Sequence, residues 1–506
     1  MRKVSIRTVM TATATAAALT LGGGIAHAAG TPGAPGAGDT YFPDYGNGGY
    51  DVDHYDVRLR YQPKTDQLTG TTTILAQSTQ ELSRFNLDFA LDVSSVQVNN
   101  RAAGFTRKGD HELVVTPARE IPKGGALTVV VKYSGIPSTV KVKGLTGWTR
   151  TADGALAVNE PESAWWWFPS NDHPTDKATF DVSVLAPHDV QVISNGTLTS
   201  GPTPELNGWD RWYWRSTRPQ ATYLAYVAIG QYDIETDTAA DGSPIVNAFS
   251  RSLGDLDGAA RAGINRTNEI LDTEAGWFGA YPFEARGGVA APPGSLGFAL
   301  ETQTRPVYDG RFWRRGGNTY VVAHENAHQW FGDAVSVSEW KNIWLNEGFA
   351  SYAEWLWSDH EGEGTPQELF DFTYASYPAD DPFWQVLPGD PGADKVFDAA
   401  VYDRGALTLQ ALRVQIGDEA FFDLLKTWVQ EHKYSNGSID QFIALAEKVS
   451  GQQLDDLFTT WLFTRGRPEL TSAALARRSK ADTDATPVKP KSWDEIQQVH
   501  ADLAIG

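Results

Sequence analysis

No cysteine occurs in the 506 residues of this chain, so disulfide bonds and thiol catalysis are both excluded. Positive charge is scarce: 42 Lys and Arg against 63 Asp and Glu give a formal charge of −21, which makes nucleic acid and anionic membrane surfaces poor partners. Long apolar runs are missing too. Past the N-terminus nothing reaches eighteen uninterrupted apolar residues, so no membrane insertion is expected. Stability must then come from core burial, and a chain that is 41 % apolar, with 18 Trp, 18 Tyr and 22 Phe, can build two or three cores. Histidine is sparse as well, at ten residues, so a regular spacing among the histidines carries information.

At the N-terminus, Arg2, Lys3 and Arg7 precede a small-residue and apolar stretch through Ile25, and Ala26-His27-Ala28 matches an A-x-A cleavage site. Residues 1–28 read as a signal peptide cut near Ala28/Ala29, and the expectation is a secreted protein. Losing three positive residues and no acidic ones takes the formal charge from −21 to −24. Residues 29–49 are Gly/Pro-rich and read as a flexible leader. The period then becomes two: Tyr55, Val57, Leu59 and Tyr61 alternate with His54, Asp56, Arg58 and Arg60, and similar runs recur at 113–115, 127–133, 178–185, 190–194 and 223–234. A β-rich N-terminal domain is expected over 50–236. From about residue 255 the helical period takes over, at 318–331, 343–358, 401–416 and 420–432, with a capping box at Ser438-Ile439-Asp440-Gln441. A mainly helical domain over 237–466 follows, and 467–506 reads as a C-terminal tail with a short helix after Trp493, whose removal from 476 onward is expected to leave folding unchanged.

Within the helical half stands His324-Glu325-Asn326-Ala327-His328, then eighteen residues, then Glu347. Two histidines four apart on a helix project from one face and can reach one metal ion, while Glu325 lies beside them. Zn²⁺ takes nitrogen and oxygen donors tetrahedrally, and a catalytic site supplies three protein ligands and leaves the fourth position open. His324, His328 and Glu347 supply three such ligands for one Zn²⁺ per chain. Glu325 is then placed as general base and later acid. Glu354, seven residues after Glu347 on the same helical face, either orients a ligand or is an ordinary helix carboxylate.

The flanking residues, Gln329-Trp330-Phe331-Gly332-Asp333 and Trp340-Lys341-Asn342-Ile343-Trp344-Leu345-Asn346-Glu347-Gly348-Phe349-Ala350, resemble the M1 family of zinc aminopeptidases, gluzincins of the aminopeptidase N type. The resemblance covers nearly all of residues 50–466. It implies a multidomain fold, an N-terminal β saddle domain followed by a mainly helical thermolysin-like α+β catalytic domain. Most members continue into a large C-terminal helical domain; the chain stops short of it, and a more open cleft is expected. The resemblance further implies that Tyr402, in Tyr402-Asp403-Arg404-Gly405, donates to the oxyanion. Tyr402 also heads an apolar stripe with Leu409, Leu412 and Ile416, where it could equally be a core residue. The family's G-x-M-E-N loop is matched imperfectly by Gly297-Phe298-Ala299-Leu300-Glu301-Thr302, with Glu301 at the acidic position that binds the substrate amine. Glu160, ahead of Phe168-Pro169-Ser170-Asn171-Asp172-His173-Pro174, corresponds to the second acidic position. The implied activity is removal of N-terminal residues from peptides with a free N-terminus. An endopeptidase of the same class and an inactive peptide-binding protein are the competing readings.

Overall fold

The computed structural model describes residues 30–470 and 487–503, and the signal segment 1–28 lies outside the described residues. Two domains follow one another in the expected order, β-rich first and helical second. In the N-terminal domain an eight-stranded sheet is built on the long strands Tyr50–Gln62, Gln67–Ser78, Ala126–Gly135, Ala178–Pro187 and Trp209–Gln220. The alternation of Tyr55, Val57, Leu59 and Tyr61 is realised as burial, all four at 2 % exposure or less, with the intervening side chains turned outward.

The two domains share a wall. A five-stranded sheet is formed by Tyr232–Thr238, Pro244–Ser250, Arg286–Ala290, Val307–Tyr308 and Ala299–Leu300, in that spatial order. Successive residues on its strands point to opposite faces. Val246, Ala248, Val289, Leu300 and Val307 enter the core of the N-terminal domain, while Phe249, Ala290, Ala299 and Tyr308 enter the helical core. Both faces of this sheet are therefore buried, which couples the two cores through one layer. The strand from Tyr232 pairs with Pro244–Ser250 within this second sheet.

The helical domain centres on Thr319–Ala327, Trp344–Glu361 and Ala399–Ile416. Asn318 caps the first by accepting from Tyr320 and Val321 N–H, and the helix stops at Ala327, earlier than its periodicity suggests, with His328 at the C-cap. Trp344–Glu361 and Ala399–Ile416 cross where Gly348 meets Gly405: a Cβ on Gly405 would lie 2.8 Å from Gly348 Cα and 2.9 Å from Trp344 Cδ1. This close approach brings Glu347 and Tyr402, each within three residues of its glycine, to one place. Among the described residues no helix is long and apolar enough to cross a membrane.

Two segments depart from expectation. Residues 30–49, read as a flexible leader, are packed: Asp39 accepts from the N–H of Trp340 in the helical domain at 2.7 Å and meets His173 Nε2 of the N-terminal domain at 3.2 Å. The glycines permit close folding rather than freedom, since a Cβ on Gly36 would stand 2.1 Å from the Pro43 carbonyl oxygen. In the segment read as a tail, the short helix expected after Trp493 forms as Trp493–Leu503, but it is docked, with Ile496, Val499, His500 and Leu503 buried against the helical domain.

Replacing Gly405 with Ala should force the two crossing helices apart. The expected result is a loss of about 1–3 kcal/mol of stability with weakened zinc binding, read by denaturant unfolding and metal analysis. Unchanged values on both counts would mean that the crossing does not set the site.

Candidate active site

His324 and His328 are each 1 % exposed and Glu347 is 3 % exposed. Glu347 Oε2 stands 3.3 Å from His324 Nε2 and 3.5 Å from His328 Nε2, and one donor atom from each of the three lies within 4.8 Å of the others. Donors held about 2.0–2.1 Å from a tetrahedral zinc are separated by about 3.3 Å. The three donors therefore fit the ion in type, count and spacing. The other ring nitrogens are committed elsewhere: His324 Nδ1 meets Glu354 Oε1 at 2.5 Å and His328 Nδ1 meets the Phe331 carbonyl oxygen at 2.9 Å. Those partners fix the ring orientation and leave both Nε2 atoms for the metal. Burial opposes charge on Glu347, but His328 and His324 outweigh it and hold the carboxyl below its usual range.

Glu325 lies beside this group, 1 % exposed, with Oε1 lacking any hydrogen-bond partner among the described residues. Burial pushes its carboxyl up to about 8, partly offset by the two imidazoles. Such a group can both take and return a proton near neutrality. Tyr402, from the crossing helix, stacks on the His324 ring at 5.9 Å and lines the same cleft.

The remaining acids arrive from the shared sheet and the N-terminal domain. Glu301 follows the edge strand Ala299–Leu300, and its carboxylate accepts from Tyr223 OH at 3.1 Å. The loop behind it is clamped. Gln329, next to His328, donates to the Glu301 carbonyl at 2.9 Å and accepts from Thr304 N–H at 2.7 Å. Asn195 of the N-terminal domain donates to the Gln303 carbonyl at 2.9 Å, and Arg305 Nε donates to the Val246 carbonyl at 2.9 Å. Glu160 faces the cleft with Oε1 unpartnered among the described residues, and burial beside Glu301 and Glu347 pushes its carboxyl well up. Glu301 is raised for the same leading reason, burial, which His328 opposes.

All seven residues singled out from sequence thus surround one cleft, with Asn159, Phe298, Ala299, Leu300, Phe397 and Leu503 completing its wall. Among the described residues four carboxylates line it and neither Lys nor Arg does. The open question over Glu354 resolves to a ligand-orienting position. Its partner on the far side, His500, escaped sequence reasoning: His500 Nε2 meets Glu354 Oε1 at 3.0 Å, and His500 Nδ1 meets Asp403 Oδ1 at 2.8 Å. Ile496, Val499, His500 and Leu503 recur at helical spacing, a signal that was present but unattached to any site. Burial disfavours charge on His500, yet Glu354 and Asp403 prevail and raise it to about 10.

Comparison with known proteins agrees with this geometry. The profile of the Peptidase M1 N-terminal domain matches residues 51–224, and that of the Peptidase family M1 domain matches 313–461. Aminopeptidase M1 of Arabidopsis thaliana is 26 % identical over 459 residues, covering 83 % of this chain and 50 % of that protein. Aminopeptidase A of Gloydius brevicauda is 26 % identical over 483 residues, covering 87 % of this chain and 49 % of that protein. The chain spans about half the length of these curated relatives. An M1 zinc metallopeptidase from Deinococcus radiodurans superposes with a TM-score of 0.76 at 29 % identity, covering 86 % of this chain and 98 % of that one. A two-domain M1 zinc metallopeptidase variant bound to L-tryptophan gives 0.77 at 29 %, covering 86 % and 99 %. Two family profiles fall in order on the two domains, the paired fold recurs in M1 zinc metallopeptidases, and the donors suit zinc: this chain belongs to peptidase family M1.

Proposed function

We propose that this chain is an exported, zinc-dependent aminopeptidase that removes N-terminal residues from peptides bearing a free amine. The observation that carries the reading is the lining of the cleft, where Glu301 and Glu160 stand beside the metal donors and, among the described residues, no Lys or Arg lines it. A substrate ammonium supplies the missing cation. An internal peptide segment would instead desolvate both carboxylates without compensation, which disfavours an endopeptidase.

His324, His328 and Glu347 would hold the zinc ion, which would supply Lewis acidity for water and for the scissile carbonyl. Glu325 accepts the proton that the attacking water gives up and passes it to the leaving amine, so the C–N bond breaks with a neutral amine departing. Tyr402 offers its hydroxyl to the oxygen that gains negative charge, a contribution of roughly 3 kcal/mol for one such donor. Glu301 and Glu160 hold the ammonium, and the extended edge strand Ala299–Leu300 provides main-chain groups along which a peptide can align. A related M1 zinc metallopeptidase variant from Deinococcus radiodurans has been solved bound to a Tyr-Ser-Ala substrate, which supports a peptide ligand here.

Three outcomes are expected. Glu325→Gln should keep one zinc per chain and lose about 10²–10⁴-fold in kcat; zinc lost in step with activity would make Glu325 structural. Glu301→Gln should depress hydrolysis of free-amine aminoacyl substrates by roughly thirty- to several-thousand-fold, the equivalent of about 2–5 kcal/mol for a broken buried charge pair. N-acetylated analogues should be poor substrates of the parent and lose far less in the variant; an unmoved ratio between the two substrate types would favour the endopeptidase. Intact mass of protein recovered from the culture medium of an exporting host should correspond to a chain starting near Ala29, and retention of residues 1–28 would rule out cleavage there.

A further inference from the structure

The helix Trp493–Leu503 is seated by contacts that begin before its first turn. Lys491 N–H donates to the Glu363 carbonyl at 2.9 Å, Ser492 Oγ lies 2.7 Å from Ser358 Oγ, and Trp493 Nε1 donates to Thr373 Oγ1 at 3.2 Å. Ile496 and Val499 are fully buried, and Leu503 at the far end forms part of the cleft wall. The seating delivers His500, 2 % exposed, between two buried carboxylates that belong to different parts of the site. On one side is Glu354, whose same oxygen, Oε1, also meets His324 Nδ1. On the other is Asp403, adjacent in sequence to Tyr402, with Tyr377 OH donating to its Oδ2 at 2.9 Å and Gln497 Nε2 to its Oδ1 at 2.9 Å. The Tyr402 and His500 rings lie 5.7 Å apart.

We propose that the C-terminal helix is a working part of the active site and that His500 is a positioning residue: by donating to Glu354 and Asp403 it fixes the carboxylate that orients the zinc ligand His324 and the backbone turn that presents Tyr402. The physical reason lies in how Glu354 is shared. A carboxylate with one imidazole partner can rotate, and that rotation frees His324 to turn its Nε2 away. A second donor on the same oxygen removes that freedom. Asp403 needs the same service, because Tyr377 and Gln497 offer it only neutral donors, and a buried carboxylate without a cationic partner one residue from Tyr402 would draw the helix turn toward solvent.

The inference rests on the peptidase reading only for its turnover arm. The test uses the full-length zinc-loaded protein and the variants His500→Ala, His500→Gln and, as a control on the same helix, Gln498→Ala. Zinc retention is measured against a chelator series, amide hydrogen exchange is followed over 493–503, and kcat and KM are determined on a free-amine aminoacyl substrate. His500→Gln, which keeps one donor, should leave the helix amides protected while zinc is held about tenfold more weakly and kcat falls roughly 10- to 100-fold with KM little changed. His500→Ala should go further in the same direction, and Gln498→Ala should match the parent. Parent-like zinc retention and kcat in both His500 variants would overturn the proposal. Unprotected amides over 493–503 in the parent would overturn it too. Two zinc ions per chain would also do so, since His324, Glu354 and His500 would then be ligating a second ion. Global unfolding of both His500 variants would count against it as well, by making the histidine a support of the fold and not of the ligand. If the parent cleaves no peptide, zinc retention and exchange still decide the inference while the function fails separately.

Discussion

Buried negative charge in excess is the constraint on which this structure turns. Glu160, Glu301, Glu325 and Glu347 line one cleft, Glu354 and Asp403 stand immediately behind it, and among the described residues no Lys or Arg lines the cleft. Oxygens of Glu301 and Glu325 lie within 4.8 Å of each other. Two like charges about 4 Å apart repel by roughly 4 kcal/mol at an effective dielectric of 20, so such a cluster persists only if cations answer it or protons are taken up. His500 answers the two carboxylates behind the cleft. In the proposed reading, a divalent ion held by His324, His328 and Glu347 and a substrate ammonium between Glu301 and Glu160 would answer those in front.

The fold is arranged to hold this charge still. The five-stranded sheet feeds both hydrophobic cores, so the N-terminal domain is the second wall of the cleft and not an appendage. Lys177 strengthens the joint by donating to the carbonyls of Asp333 and Ala334 at 2.8 and 3.1 Å. Asn195 and Arg305 hold the Glu301 loop from the sheet side while Gln329 holds it from the histidine helix, which spans the distance between Glu301 and the metal donors with short, buried hydrogen bonds. The side-chain amides of Asn195 and Gln329 suit this task, since they orient the loop without adding charge.

The parts of the site legible in sequence were those encoded locally. His324 and His328 share one helix face because four residues make slightly more than one turn, and Glu347 was found from fixed spacing. The imperfect Gly297 to Thr302 match still located Glu301, because the loop is held largely through its backbone, at the Glu301 and Gln303 carbonyls and Thr304 N–H, where side-chain identity matters little. Contacts between distant segments were illegible. Glycine and proline at 29–49 resemble a loose linker in composition, and only the fold reveals that Gly36 is small for close packing and that Asp39 bridges the domains. His500 looked like a tail residue because its two partners lie 97 and 146 residues away.

The central claim is that one zinc ion and one ammonium complete an otherwise unbalanced cleft. Thermal unfolding of the metal-depleted chain tests it most directly, followed with zinc added and then with a free-amine amino acid amide or its N-acetyl counterpart. The account predicts a rise in melting temperature at one zinc per chain and a further rise with the free amine alone; a ligand at a hundred times its Kd contributes about 2.7 kcal/mol. A melting temperature indifferent to zinc, or one raised equally by the acetylated compound, would contradict it.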